Sequence, residues 1–364
     1  MFWIVTDSYL ATYPDVVVPS LNTPHMRQDS AAGTVVKETL SAKIYKQLAA
    51  SMSAHLSDAQ LKELAYEGQF DDHPLGENLP SVEALLPINC RQGMANIGTL
   101  GRLTPECLQI VFNQLDIDTI ISFQSTSHGS FALVNSLPTY GVISKHARNA
   151  VRGARIIGTS NRATCIELYS KLCQPACDQC EEFGGYIYLV TYRRLCLLCL
   201  STHLSFLPLG RQWARRYFGL DSSTVNSLPR LLTLGGRYSP EGGKLQNKQV
   251  LVDYDAAREA GISRHGSQEG MEAYVAAARG RAGRRRGPPD GKAGNPLRFA
   301  AAVRLPWYDE SSGELEWGFH CRGCEKSEQR SALCRKKYNA VSFRRHIQTY
   351  GPVQDGEHRK CIAS

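Results

Sequence analysis

CDQCEEFGGYIYLVTYRRLCLLC, residues 177–199, contains two C-x-x-C pairs that are separated by fifteen residues. Each pair places two thiols on one side of a metal ion, so a second pair must return to close the other side. Gly184 and Gly185 allow a bend, and residues 186–190 are strong strand formers. We therefore predict a β-hairpin that reverses near residues 192–194. The spacing is that of a zinc site with four ligands: Cys177, Cys180, Cys196 and Cys199.

A zinc ion with four protein ligands has no open position for water or substrate, so we expect a structural rather than a catalytic metal. Two other interpretations of the cysteines stay open. They could be small buried apolar residues, or a redox pair, although a redox C-x-x-C belongs next to a βαβ unit and that pattern is absent here. Cys173 lies just upstream as a spare thiol or a replacement ligand.

A second group of ligand-type residues lies near the C-terminus. Cys321 and Cys324 form another C-x-x-C pair, and twenty-one residues separate Cys324 from His346. Tyr350 occupies the position where a fourth ligand would be most natural. Two further residues of ligand type follow, His358 and Cys361. The sequence thus predicts an incomplete second metal site at Cys321, Cys324 and His346, with a core histidine and two buried thiols as the alternative.

Composition is that of a globular protein. The 364 residues suggest two or three domains, and 42% of them are hydrophobic and 21% charged. Residues 279–298 hold seven basic residues against one acid, which accounts for six of the eight net positive charges. Residues 279–296 within it form an Arg/Gly/Pro stretch that we interpret as a solvated linker, with a nuclear-import or nucleic-acid patch as the alternative. Because the remaining chain is close to neutral, we expect no nucleic-acid partner.

The chain lacks a run of about 20 apolar residues, so we expect no membrane partner. The opening MFWIV has no basic residues before it and does not resemble a secretory signal. Twelve cysteines without a signal indicate a reducing compartment, in which paired cysteines more often bind metal than form disulfides. We therefore expect a cytoplasmic or nuclear protein.

The pattern predicts an α+β fold that is mostly α-helical. Apolar spacing at Leu40, Ile44 and Leu48 predicts one helix, and a second is expected to begin at Ser57. Prolines between residues 71 and 97 indicate a linker. Further along, the pattern predicts helices at 211–220 and 268–278 and a loop at 235–250. The predicted regions are a poorly ordered 1–97 with one or two helices, 98–148, 149–225 with the four cysteines, 226–300 with loops, a short helix and the basic linker, and 301–364 with the second Cys/His group.

LTPECLQIVFNQLDIDTIISF, residues 103–123, predicts two consecutive amphipathic helices. Thr104 is expected to cap the first helix, with Pro105 at its first position and Glu106 in its first turn. The apolar positions of the first helix form one stripe, which by itself indicates only core packing. The stripe consists of Leu108, Val111, Phe112 and Leu115, and the second helix continues it with Ile120, Ile121 and Phe123.

These residues resemble an F-box, whose pattern is L-P-x-E-x-L followed by spaced aliphatic residues. The proline lies one place later here, because Thr104 occupies its usual position. The resemblance continues through VNSLPTYGVISKHA, LYSKLCQPACDQCEEFGGYIYL, RRLCLLCL, LPLGRQWARRYFGL and WGFHCRGCEKS. This order, an F-box at 98–148 followed by a four-cysteine module and a C-terminal C-x-x-C segment, is similar to F-box proteins of filamentous fungi.

The resemblance implies a non-catalytic substrate adaptor of an SCF (Skp–cullin–F-box) ubiquitin ligase. The F-box would bind the Skp-type linker, and the remainder would bind an unknown protein substrate. Acidic side chains at Glu106, Asp116 and Asp118 would lie at the rim of the interface. The implied partner-binding residues are Leu103, Pro105, Glu106, Leu108, Val111, Phe112, Leu115, Ile120 and Phe123.

Two other classes compete with the adaptor. A zinc-stabilised nuclear module that binds DNA or protein without a ligase role agrees with the two cysteine groups and the basic run. A RING ligase needs eight ligands with a Cys-x-His element between its pairs, and residues 181–195 contain neither cysteine nor histidine. The glycines of the basic run do not follow a strand, so no phosphate-binding loop or other enzyme motif is indicated.

Overall fold

A short helix and strand come first in the computed structural model, which describes residues 58–68, 72–81, 97–281, 291–325 and 334–358. Helix α1 (Asp58–Leu64) begins next to the predicted Ser57 and leads into strand β1 (Ala65–Tyr66). The helix predicted around Leu40, Ile44 and Leu48 lies outside the described residues.

Six short helices follow between residues 105 and 173, and the first two are those predicted within residues 103–123. Polar residues begin most of them: Thr104 accepts a hydrogen bond from the Cys107 amide, and Thr164 forms a capping box with Glu167. The helices are α2 (Pro105–Gln114), α3 (Ile117–Gln124), α4 (His128–Ser136), α5 (Pro138–His146), α6 (Arg148–Ile157) and α7 (Cys165–Cys173). Their inward side chains belong to the main hydrophobic core.

The predicted hairpin is present as β2 (Tyr186–Tyr188) and β3 (Arg193–Leu195), with Tyr188 opposite Arg193. The chain reverses over residues 189–192, slightly earlier than predicted, and Tyr192 takes a positive φ of 51° there. Strand β9 (Ala302–Arg304) pairs antiparallel with the other edge of β2. Helix α8 (Leu197–Thr202) follows the hairpin directly.

Residues 203–281 contain a second packed cluster. The helices of this part are α9 (Arg211–Phe218), as predicted, α10 (Ser222–Ser227), α11 (Tyr254–His265) and α12 (Gln268–Arg281). Its strands are β4 (Leu209–Gly210), β5 (Arg230–Leu232), β6 (Gly236–Tyr238), β7 (Gly243–Leu245) and β8 (Val250–Val252). The loop prediction for 235–250 is wrong, because β6 and β7 form a hairpin, and the short-helix prediction for 226–300 missed α11.

The C-terminal part returns to the elements that precede it. Its elements are α13 (Pro296–Phe299), β9, β10 (Trp307–Tyr308), β11 (Leu315–Glu316), β12 (His320–Cys321), α14 (Arg322–Glu325), α15 (Ala340–Tyr350), β13 (Val353–Gln354) and β14 (Glu357–His358). Strand β12 pairs with β1, so the start of the described chain is held against its C-terminal part. The described elements are mostly helices with small β-sheets, so the fold is a mostly helical α+β fold, as predicted.

The linker prediction for residues 71–97 is wrong for part of its length. Within the predicted 71–97 linker, Leu75 is fully buried in the main core and the Asp72 carboxylate pairs with Tyr186 and Arg304. Arg298, counted above in the basic run, is also fully buried, and its guanidinium donates to the carbonyls of Leu200 and His203. Charge alone does not distinguish such a buried arginine from a solvated one. None of the helices in the described ranges is long and apolar enough to cross a bilayer.

Candidate metal centres and an exposed helix face

The four cysteines of the hairpin segment converge on one point, which we call the hairpin centre. Their Sγ atoms all lie within 4.8 Å of one another, and the Cys180 and Cys196 sulfurs are 3.7 Å apart. A tetrahedron with metal–sulfur bonds of about 2.3 Å has edges of about 3.8 Å, so the separation fits a tetrahedral zinc site. Cys177 and Cys180 precede β2, whereas Cys196 caps α8 and Cys199 lies in its first turn. The predicted set of four is therefore brought together.

The backbone around the hairpin centre is fixed from both sides. Asp178 accepts a hydrogen bond from the Arg194 backbone amide at 2.7 Å and pairs with Lys171 at 2.7 Å. The buried Arg194 guanidinium donates to the Gly184 carbonyl at 2.7 Å. A Cβ on Gly184 would lie 2.9 Å from the Arg194 side chain and 3.3 Å from the Cys177 backbone. Glycine is thus required at position 184 for close packing.

The close approach of the four thiols lowers the pKa values of some of them and raises the pKa values of others. Hydrogen bonds from the neighbouring thiols, first that of Cys180, lower the pKa of Cys177. The interaction with Cys177 is in turn the largest cause that raises the pKa values of Cys196 and Cys199. Four thiolates in one small volume would repel one another, and a bound dication would remove that repulsion.

Cys173 does not belong to the hairpin centre. Its pKa is raised to about 11, mainly by burial, and the side chains that affect it next are Tyr169 and Glu310. It is absent from the group of four converging sulfurs. The structure therefore excludes Cys173 as a replacement ligand in this arrangement and leaves it as the spare thiol.

A second, fully buried group of four, which we call the C-terminal centre, consists of Cys321, Cys324, His346 and His358. The Sγ atom of Cys324 is 3.4 Å from the Nε2 atoms of both histidines, and the two Nε2 atoms are 3.0 Å apart. Tetrahedral bonds of about 2.3 Å to sulfur and about 2.0–2.1 Å to nitrogen require separations of about 3.3–3.6 Å. The sulfur–nitrogen separations thus fit a metal ion, and the two nitrogens, 3.0 Å apart, would move about 0.3 Å further from each other around it.

Both histidines are oriented by their other ring nitrogen. The Nδ1 atom of His358 is 2.8 Å from the Gly351 carbonyl oxygen, which fixes its proton on Nδ1. The Nδ1 atom of His346 is 3.1 Å from the Tyr338 hydroxyl oxygen. Metal-binding histidines characteristically donate the second N–H in this way, because the hydrogen bond fixes both ring and tautomer. The Nε2 lone pair of His358 is therefore directed into the centre, and that of His346 is directed there when its Nδ1 donates to the Tyr338 hydroxyl.

The fourth ligand, His358, was not in the predicted set of Cys321, Cys324 and His346. Tyr350 occupies the position expected for a fourth ligand, but its ring packs against His346 with centroids 4.8 Å apart. The chain then turns through Gly351 and Gly356, both with positive φ, and β14 brings His358 back. The sequence does contain this ligand, because His358 follows two glycines that allow the chain to turn back toward His346. Cys361 lies outside the described residues.

Helix α2 divides the predicted F-box residues into two groups. Leu108, Phe112 and Ile120 are buried, and Leu115 and Phe123 are partly buried against the same core. Pro105 and Glu106 are exposed at the start of the helix. Large exposed hydrophobic side chains remain on the outer side, which we call the α2 outer face: Leu103 (42% exposed), Ile110 (66%) and Val111 (45%). Ile110 was not among the predicted residues.

The predicted acidic rim has partners within the chain. Asp116 caps α3 through the Thr119 amide at 2.9 Å. Asp118 accepts a hydrogen bond from Ser160 and lies 3.9 Å from Arg155. Both acids therefore serve the helical region itself, although Asp118 remains half exposed.

Comparisons with known proteins found no matching family model, curated protein or solved structure.

Proposed function

We propose that this chain is a non-catalytic adaptor of the F-box type, which binds the Skp-type linker of a cullin–RING ubiquitin ligase and a protein substrate through the remaining surface. The observation that carries the proposal is the division of α2. Five of the seven predicted apolar residues are buried or partly buried against the core, while Leu103, Val111 and the neighbouring Ile110 keep large aliphatic groups in solvent. Burial of such groups by a partner is favourable, and polar rims then set orientation.

Structural zinc in both centres is the second part of the proposal. Thiolate and imidazole donors in groups of four select zinc among the common divalent ions, and four protein ligands leave no site for catalysis. The role of the metals is then to hold the hairpin and the C-terminal segment in place. A zinc-stabilised interaction module without a ligase role remains as the alternative if the linker does not bind.

The decisive experiment is a titration of the purified, zinc-loaded chain with a purified fungal Skp-type linker, followed by calorimetry and gel filtration. We expect a one-to-one complex that forms with micromolar or better affinity. A folded, zinc-replete chain that shows no heat of binding at roughly 100 μM linker, which corresponds to a binding free energy weaker than about −5.5 kcal/mol, refutes the adaptor function.

Zinc content is measured on the same preparation, so that failure of the adaptor function and loss of the metal are distinguished. We expect two zinc ions per chain by elemental analysis. If a protein without zinc still binds the linker, linker binding does not depend on the metal, and the adaptor function stands without the zinc assignment.

A further inference from the structure

A cleft of about 390 Å³ lies where the helical region meets the second cluster. Its size falls within the range of small-ligand sites, about 300–1,000 Å³. One wall comes from the turn after β2, and the other from the end of α10 and the start of β5. The lining residues are Arg162, Val190, Thr191, Asn226, Ser227, Leu228, Pro229 and Arg230.

Arg162 is a fixed cation in the wall of this cleft. Its guanidinium donates to the Val190 carbonyl at 3.4 Å and to the Arg230 carbonyl at 2.6 Å, so it connects the two walls. Burial is the main cause that lowers its pKa, and the neighbouring Arg230 charge lowers it further. The Arg162 guanidinium thus lies against the Arg230 backbone, and both arginines line the same cleft. The carboxylate that partly offsets them, Asp253, is buried and caps α11.

Arg230 offers its charge to solvent. Its side chain is exposed and has neither a hydrogen bond nor an ion pair with any residue in the described ranges. Asn226 contributes a further donor, because its Oδ1 accepts from Arg211 at 3.3 Å and leaves the amide nitrogen for another acceptor. Thr191 and Ser227 add hydroxyl groups to the lining. The cleft thus combines two cations and several donors without an acid among its lining residues.

We propose that this cleft binds a phosphate group, as a phosphomonoester on a polypeptide or as a free phosphate. The two arginines carry two positive charges, and a phosphomonoester carries nearly two negative ones near neutral pH, whereas a carboxylate carries one. Guanidinium groups match phosphate oxygens with paired N–H donors. A phosphate group bound between the two walls would bring negative charge to both Arg162 and Arg230. The proposal is independent of the adaptor function.

Calorimetric titrations of the zinc-loaded full chain test this site with three probes: N-acetyl-phosphoserine amide, inorganic phosphate and N-acetyl-serine amide. We expect saturable binding of a phosphorylated probe that weakens with added salt, because screening reduces the attraction. Arg230→Gln should weaken binding about tenfold or more, since it removes one charge-assisted contact. Arg237→Gln, an exposed arginine on β6 outside the cleft, should leave it unchanged.

The probes separate the sources of the phosphate. Tighter binding of the phosphoserine derivative than of inorganic phosphate supports a polypeptide ligand, and the reverse order supports a free phosphate. The proposal is overturned if neither phosphorylated probe saturates by roughly 10 mM. It is equally overturned if the serine amide binds as well as its phosphorylated form, or if Arg230→Gln and Arg237→Gln behave alike. Because the Arg230 side chain is exposed and forms no hydrogen bond or ion pair within the described structure, its replacement leaves the fold intact.

Discussion

Truncating the α2 outer face is the sharpest mutational test of linker binding. Full burial of an aliphatic side chain contributes about 2 kcal/mol. Applied to the exposed fractions of Ile110 and Val111, 66% and 45%, this predicts that Ile110→Ala with Val111→Ala loses about 2 kcal/mol of binding free energy, or about thirtyfold in affinity. Adding Leu103→Ala, at 42% exposure, raises the loss to about 3 kcal/mol, which exceeds a hundredfold.

The assay is calorimetric titration of each variant with the Skp-type linker, with circular dichroism as the measure of folding. Alanine favours the helix over β-branched residues, so the double variant should melt at or near the wild-type temperature. Leu232→Ala, which removes an exposed leucine from β5, is the matched control and should bind normally. Leu108→Ala should instead destabilise the fold by about 2–5 kcal/mol, because Leu108 is buried. Wild-type affinity in the double variant would refute the assignment of this face.

Three further predictions concern the metal centres and the core. His358→Ala should reduce the zinc content from two ions to one per chain, whereas Cys173→Ala should leave it at two by elemental analysis. Arg298→Leu should lower the free energy of unfolding by about 3 kcal/mol or more, since it leaves several buried carbonyls without a hydrogen-bond donor. The control Arg237→Leu, at an exposed position, should change the free energy of unfolding by less than about 0.5 kcal/mol. Equal denaturant midpoints for the two variants would contradict this prediction. Glu182→Gln should speed zinc release from both centres to a chelator, measured with a colorimetric zinc indicator, and release from one centre alone would contradict it.

Features that depend on neighbouring residues in the chain were predictable from the sequence. The four ligands of the hairpin centre lie within one short segment, so the spacing of Cys180 and Cys196 together with the strand residues between them was sufficient. The N-cap at Thr104 and the first turn at Pro105 were also correct, because capping is a local hydrogen-bonding preference.

Features that depend on distant partners were not predictable. Strand β9 adds to the hairpin from more than a hundred residues away, and a three-residue strand has too few positions to show a period. His358 was missed for a related reason, because its position is set by a glycine turn and a two-residue ladder rather than by spacing from His346. Arg298 shows that a basic residue beside a charged run can be a core residue when carbonyls surround it.

The division of α2 illustrates the limit of periodicity. A 3.6-residue period identifies one apolar stripe, and Leu108 and Phe112 follow it into the core. Val111 lies in the same stripe but at its edge, and no described element covers it. The period therefore predicts which residues are on one side of a helix, whereas the surrounding helices decide how much of that side is buried.

The two metal centres are physically connected. Glu182, two residues after Cys180, pairs with Lys336 at 3.4 Å, and both side chains are largely buried. Lys336 is two residues before Tyr338, whose hydroxyl orients His346 at 3.1 Å. Removing one partner of a fully buried pair costs about 3–5 kcal/mol, and this pair, which is partly exposed, costs less to break. Displacement of the Cys177–Cys180 turn would therefore disturb the ion pair, and with it the histidine that the C-terminal centre requires.

The C-terminal centre extends the same connection to the start of the described chain. Cys321 lies directly opposite Ala65 in the β1–β12 pair, and Arg322 donates to the Ala65 carbonyl at 3.0 Å. Strand β1 has two residues, too few to hold its place by backbone hydrogen bonds alone. The neighbouring side chains of α1, Leu61 and Leu64, pack against the cluster that contains both cysteines. A metal that fixes Cys321 thus also fixes the surface on which α1 and β1 rest, so the C-terminal ligands stabilise an N-terminal element that contributes no ligand of its own.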